Sequence, residues 1–157
     1  MHNIHNIMEI VQLNANAKLS EHFSLGEFTK SGSHPEVYNI PSHEAIANLK
    51  RVCEWLEVLR ERAGTPIRIN SGYRSPQLNK AIHGVAGSNH MTGCASDIRV
   101  SGMEQLIRYA AILLDYADES KQEFDELLIE RNRYGAIWLH FAVRPANNRR
   151  KILFINA

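Results

Sequence analysis

The residues best suited to chemistry lie between Ser88 and Asp97, in the run S-N-H-M-T-G-C-A-S-D. His90 and Asp97 stand seven residues apart, with Gly93 and Ala95 between them. A neutral imidazole and an ionised carboxylate are both ligands that zinc accepts. Small residues between them let the backbone turn and approach closely. Asp97 then opens the alternating run Ile98-Arg99-Val100, which would set the second ligand on a strand. The same two side chains also occur together in ordinary polar loops, so a metal reading requires a third ligand, a base and a substrate anchor from elsewhere.

His140, between Leu139 and Phe141, is the candidate third ligand. A histidine inside an apolar strand is more often a satisfied core residue. It becomes a ligand if its strand packs beside that of Asp97. His90, Asp97 and His140 would then leave a fourth position open, as catalytic zinc sites do and structural ones do not. Arg74 falls between a strand end and a helix start, a common place for a functional side chain on a rigid support. Taken alone it reads as a surface charge.

The elements that must hold these residues follow from patterning. Ser42 caps the clearest helix, over 42–63, in which Ile46, Leu49, Cys53, Leu56 and Leu59 recur at helical spacing. Gly64 and Pro66 end it. Trp55 within it reads as a core aromatic. A second helix is expected over 103–116, with Met103, Leu106, Ala110 and Leu113 on one face, and 115–123 as a solvated connection or helix end. Ser75-Pro76 starts a short helix after the strand Pro66–Asn70. Phe124–Glu130 and Ala136–Val143 read as strands joined by a hairpin loop at Arg131–Gly135. Ile152–Ile155 reads as a short edge strand or a packed end. Ser24 can cap a short helix near Phe28, and Thr29–Pro41 is a turn-rich surface loop. The fold expected is α+β: an antiparallel sheet carrying the ligands, packed against the 42–63 and 103–116 helices. Residues 1–18 read as an N-terminal extension, with His2 and His5 solvated, and 19–157 as one catalytic domain.

Composition narrows the classes. A chain of 157 residues can build a core without disulfides. A net charge of +1 gives no electrostatic case for nucleic acid or an anionic membrane. No apolar run of transmembrane length and no signal peptide is visible, so synthesis and retention in the cytoplasm are expected unless something else exports the protein. The two cysteines, Cys53 and Cys94, read as reduced, buried thiols.

Together, Ser88-x-His90-x-x-Gly93-x-Ala95-x-Asp97 and the downstream Trp138-Leu139-His140 resemble the zinc-dependent D-Ala-D-Ala carboxypeptidases of the M15 peptidase family. Upstream, Ser71-Gly72-Tyr73-Arg74-Ser75 is similar to that family's arginine-bearing segment. The likeness extends loosely from Leu19 to Val143 and is strongest to the M15A-like peptidoglycan peptidases of bacteria and phages. It implies a Hedgehog/DD-peptidase-like fold, Zn2+ held by His90, Asp97 and His140, and Arg74 binding a substrate carboxylate or the developing oxyanion. Ser88 would lie near the substrate. The implied activity is hydrolysis of peptidoglycan stem peptides by a monomeric enzyme, in the manner of a D-Ala-D-Ala carboxypeptidase. A phage-type L,D-endopeptidase and a non-catalytic zinc or peptidoglycan-binding module are the alternatives.

One departure bears on the mechanism. The family pattern places an acidic general base three residues before the last histidine, where this chain has Ile137. Glu130 is the candidate replacement, because a tight hairpin loop would bring it across from Ala136–Trp138. Glu126 is a second, weaker candidate, farther from the turn.

Overall fold

The Ser42 hydroxyl accepts a hydrogen bond from the Ala45 amide and starts helix α1, His43–Ala63; Gly64, at φ 70°, stops it. A computed structural model describes residues 15–157, so His2, His5 and most of the expected extension lie outside the described residues. Residues 15–18 are tied to the next segment: Leu25 and Gly26 donate to the carbonyls of Ala17 and Ala15. Ser24 caps a 3-10 turn at Leu25–Phe28 with a capping box to Glu27.

The remaining helices are α2, Pro76–Ala81, and α3, Met103–Ser120. Helix α3 runs beyond the expected 116, because Tyr109, Leu113, Tyr116 and Ala117 continue its apolar stripe against α1. Met103 lies off that stripe and is exposed. Trp55 of α1 is a core aromatic, with its ring 5.0 Å from that of Tyr116 and 5.3 Å from that of Phe141. Cys53 and Cys94 are free and buried.

Five strands form one sheet in the order β1-β2-β4-β3-β5: β1 Ile69–Ser71, β2 Ala95–Arg99, β3 Glu126–Arg131, β4 Ile137–Ala142 and β5 Lys151–Asn156. The α+β architecture is as expected, with one correction: the sheet is mixed, since β5 runs parallel to β3 while the other pairs are antiparallel. The reason is topological. Both edges of β4 are taken, by β2 and β3, so the chain leaving Ala142 must cross the end of β3 to reach a free edge. A strand starting there and running back is antiparallel to β4 and therefore parallel to β3.

Alternation sorts the two faces of the sheet. Leu127, Ile129, Ile137, Leu139 and Phe141 face the α1–α3 layer and join the core. Glu126, Leu128, Glu130, Trp138 and His140 face the other way and line a cavity.

Candidate metal centre and catalytic site

In the register of the sheet, Asp97 on β2 lies directly opposite His140 on β4, which in turn lies opposite Leu128 on β3. His90 reaches the same point from a 3-10 turn, Asn89–Thr92, held against the sheet. Ser88 caps that turn, its hydroxyl accepting from the His90 amide at 3.2 Å. Gly93 closes it at φ 78°, where an added Cβ would meet the Ala45 carbonyl oxygen at 2.4 Å. Only glycine meets both demands.

The three side chains expected as ligands are therefore brought together. One ligand atom from each of His90, Asp97 and His140 lies within 4.8 Å of the others, and all three residues are buried. Asp97 Oδ1 is 3.2 Å from His90 Nε2 and 3.0 Å from His140 Nδ1. The outer nitrogen of each ring is already committed: His90 Nδ1 donates to the Gly72 carbonyl at 2.7 Å, and His140 Nε2 lies 2.9 Å from Glu126 Oε1. Such partners fix ring orientation: the bond to Gly72 leaves the His90 Nε2 lone pair turned inward, while His140, with a carboxylate at each nitrogen, would release its Nδ1 proton on binding a metal. Two imidazoles and a carboxylate, converging and oriented from behind, suit a divalent transition metal.

The charges of the three groups are tightly coupled. Despite the penalty of burial, the charge and hydrogen bonds of His90 and His140 hold Asp97 well below the usual carboxylate range. Burial keeps His90 below the ordinary histidine value, against the pull of Asp97. In His140 the hydrogen bonds to Asp97 and Glu126 outweigh burial and push the imidazole up to about 10.

A family match bears directly on this geometry. The family described as Peptidase M15 matches residues 21–127, more than half of the chain. This protein belongs to the M15 peptidases. No match was found among curated proteins. The matched span of this M15 peptidase holds Arg74, Ser88, His90 and Asp97. Glu130 and His140 lie beyond it, and their place at the site rests on strand register and side-chain distances.

Arg74 adjoins the carboxylate ligand. Its Nη2 donates to Asp97 Oδ2 at 2.9 Å and its Nε to Ser71 Oγ at 2.9 Å, while Nη1 has no acceptor among the described residues. The segment carrying it is pinned by Asn39, which donates to the carbonyls of Thr29 and Tyr73 and accepts from the Ser75 amide. Arg74, Ser88, His90, Glu130 and His140 all line one cavity of about 800 Å³.

Glu130 and Glu126 take different places in this M15 peptidase. Glu130 pairs with Trp138 across the β3–β4 hairpin, as the loop geometry requires, and its Oε1 lies 3.9 Å from His140 Nδ1, on the ring edge facing Asp97. Burial, and then the charge of Asp97, raise its carboxyl above the ordinary glutamate range. Glu126 instead sits behind His140, where the histidine and Asn89 hold it low despite burial. It orients a ring and does not face the convergence point. Sequence patterning does not signal the Glu126, Gly72 and Asn39 contacts, because each joins segments far apart in the chain.

Proposed function

We propose that this M15 peptidase is a zinc-dependent hydrolase of peptidoglycan stem peptides, acting in the manner of a D-Ala-D-Ala carboxypeptidase. The observation that carries the reading is the convergence of His90 Nε2, Asp97 Oδ1 and His140 Nδ1 with Glu130 beside them in an open cavity. His90, Asp97 and His140 would hold the metal. When bound, zinc acidifies a water and polarises the scissile carbonyl.

The chain's own residues supply the rest. The Glu130 carboxylate accepts a proton from the attacking water and returns it to the leaving amine as the C–N bond breaks. Partial burial, which raises its pKa, suits it to both transfers. Arg74, fixed through Ser71 and Asp97, offers its remaining guanidinium edge to a substrate carboxylate or to the developing oxyanion. Ser88 lines the same cavity and can hydrogen-bond the substrate.

The test is zinc-dependent release of amino groups from purified peptidoglycan by metal-stripped and zinc-restored protein. Release that zinc restores and that a His90→Ala variant lacks supports the proposal; release no greater than that of the variant refutes it. A Glu130→Gln variant separates enzyme from binding module. Retained zinc with hydrolysis reduced roughly 10²- to 10⁴-fold marks a catalytic base.

A further inference from the structure

The cavity holds a second group of cations beyond Arg74: Arg144, Arg149 and Lys151, from the loop 143–150 and the start of β5. Beneath them lies Asp125, fully buried. A buried carboxylate needs a partner, and Arg149 provides it in forked geometry, with Nε 3.0 Å from Oδ1 and Nη2 2.8 Å from Oδ2. The Asn89 amide adds a further donor to Asp125 Oδ2 at 2.8 Å. Asp125 is thus satisfied without Arg144.

Arg144 is bound from one side only. Its Nε donates to Asn89 Oδ1 at 2.9 Å and lies 3.2 Å from Asp125 Oδ2, while both Nη groups have no acceptor among the described residues. The other nearby carboxylate, Glu126, is committed to His140 Nε2 and to Asn89, with Arg149 at 3.7 Å. With Lys151 in register opposite Glu126, this end of the cavity keeps a surplus of positive charge. Its position matters as much as its sign. Asn89 precedes His90 directly and bonds Glu126, so Arg144 connects to the site through the outer edge of His140. Arg74 connects through Asp97, on the inner edge.

We propose that Arg144 anchors a second carboxylate of the substrate, so that the preferred peptide carries two, one held by Arg74 and the other by Arg144. The inference rests on the peptidase reading above and names its substrate class: an acidic peptide lying across the site. The fork of free Nη donors is matched to a carboxylate, whether a C-terminal one or that of an interior acidic residue.

Three synthetic stem-peptide mimics test it: one with both an interior glutamyl carboxylate and a free C-terminus, one with only the interior group amidated, and one with only the C-terminus amidated. Their Kd values are measured on zinc-loaded Glu130→Gln protein, alone and combined with Arg144→Gln, and their hydrolysis on the wild type. Each amidation is expected to weaken binding roughly 10- to 100-fold. Arg144→Gln abolishes one of these two penalties and leaves the other, and the penalty lost identifies which carboxylate Arg144 holds. Equal affinity for all three peptides, no binding of any, or two intact penalties in Arg144→Gln overturns the proposal. Hydrolysis without discrimination strikes this inference alone. Discrimination in binding without any hydrolysis strikes the peptidase reading and leaves the subsite standing.

Discussion

Glu126 Oε1 lies 2.9 Å from His140 Nε2, while Nδ1 of the same ring lies 3.0 Å from Asp97 Oδ1. One imidazole thus bridges two carboxylates, one behind it and one beside it at the convergence point. That arrangement separates two glutamates, Glu126 and Glu130, which sit four residues apart on the same face of β3.

Glu126 holds the outer edge of His140 and does not face the convergence point. A Glu126→Gln variant removes the charge behind His140 but keeps an oxygen to accept its N–H. The weaker acceptor lowers imidazole basicity, and zinc affinity is expected to fall about 10- to 100-fold. Competition with a chromogenic chelator measures this. Unaltered zinc affinity would show that the outer contact does not tune the site.

Glu130 should reveal itself in pH dependence. With Glu130 as the base, the acid limb of kcat/KM is expected to be absent from the residual activity of Glu130→Gln. In the metal-free protein, burial and then the charge of Asp97 raise the Glu130 carboxyl above the ordinary 4.5. The folded state binds the Glu130 proton more tightly than the unfolded chain, so this group's contribution declines as pH rises through 4.5 toward the raised value. Metal-free Glu130→Gln is therefore expected to have a higher Tm than metal-free wild type at neutral pH, and an equal one below pH 4 or so. A lower Tm at neutral pH would contradict the assignment of burial as the dominant cause.

How much of this was legible follows from how local each signal is. His90 and Asp97 are close in sequence, and the strand pattern after Asp97 predicts its support. His140 is legible because alternation in Leu139-His140-Phe141 puts it on the opposite face from two core residues. Glu130 follows from counting across a hairpin. Glu126 illustrates the limit: sequence distance from the turn makes it the weaker base, but only the fold shows that it stands behind His140. The Asn89–Arg144–Asp125 contacts and the parallel direction of β5 depend on a crossing between distant segments, for which no periodic signal exists.

Gly93 joins conformation to the metal site. Its φ of 78° and the 2.4 Å approach of an added Cβ to the Ala45 carbonyl leave no room for a side chain. Gly93→Ala is expected to cost about 1–3 kcal/mol through backbone strain, with the steric conflict adding to it. The turn that carries His90 must shift, so zinc affinity falls along with Tm. Thermal melts with and without zinc separate the two losses. A variant with lower Tm and full zinc affinity would mean that the turn moves as a unit and the ligand geometry survives.

Ile137 tests whether the base could have stood elsewhere on this strand. In a regular strand, residues three apart point to opposite faces. Ile137 accordingly packs toward the core with Leu139 and Phe141, while His140 faces the cavity. A carboxylate at 137 would meet the apolar layer under the sheet. Ile137→Glu is thus expected to lower stability by about 1–3 kcal/mol, the cost of an imperfectly paired polar group among apolar neighbours. The double variant Ile137→Glu/Glu130→Gln should remain as inactive as Glu130→Gln alone. Recovery of hydrolysis in the double variant would mean that β4 can bulge to turn residue 137 toward the metal ligands, and the alternation argument for Glu130 would fail with it.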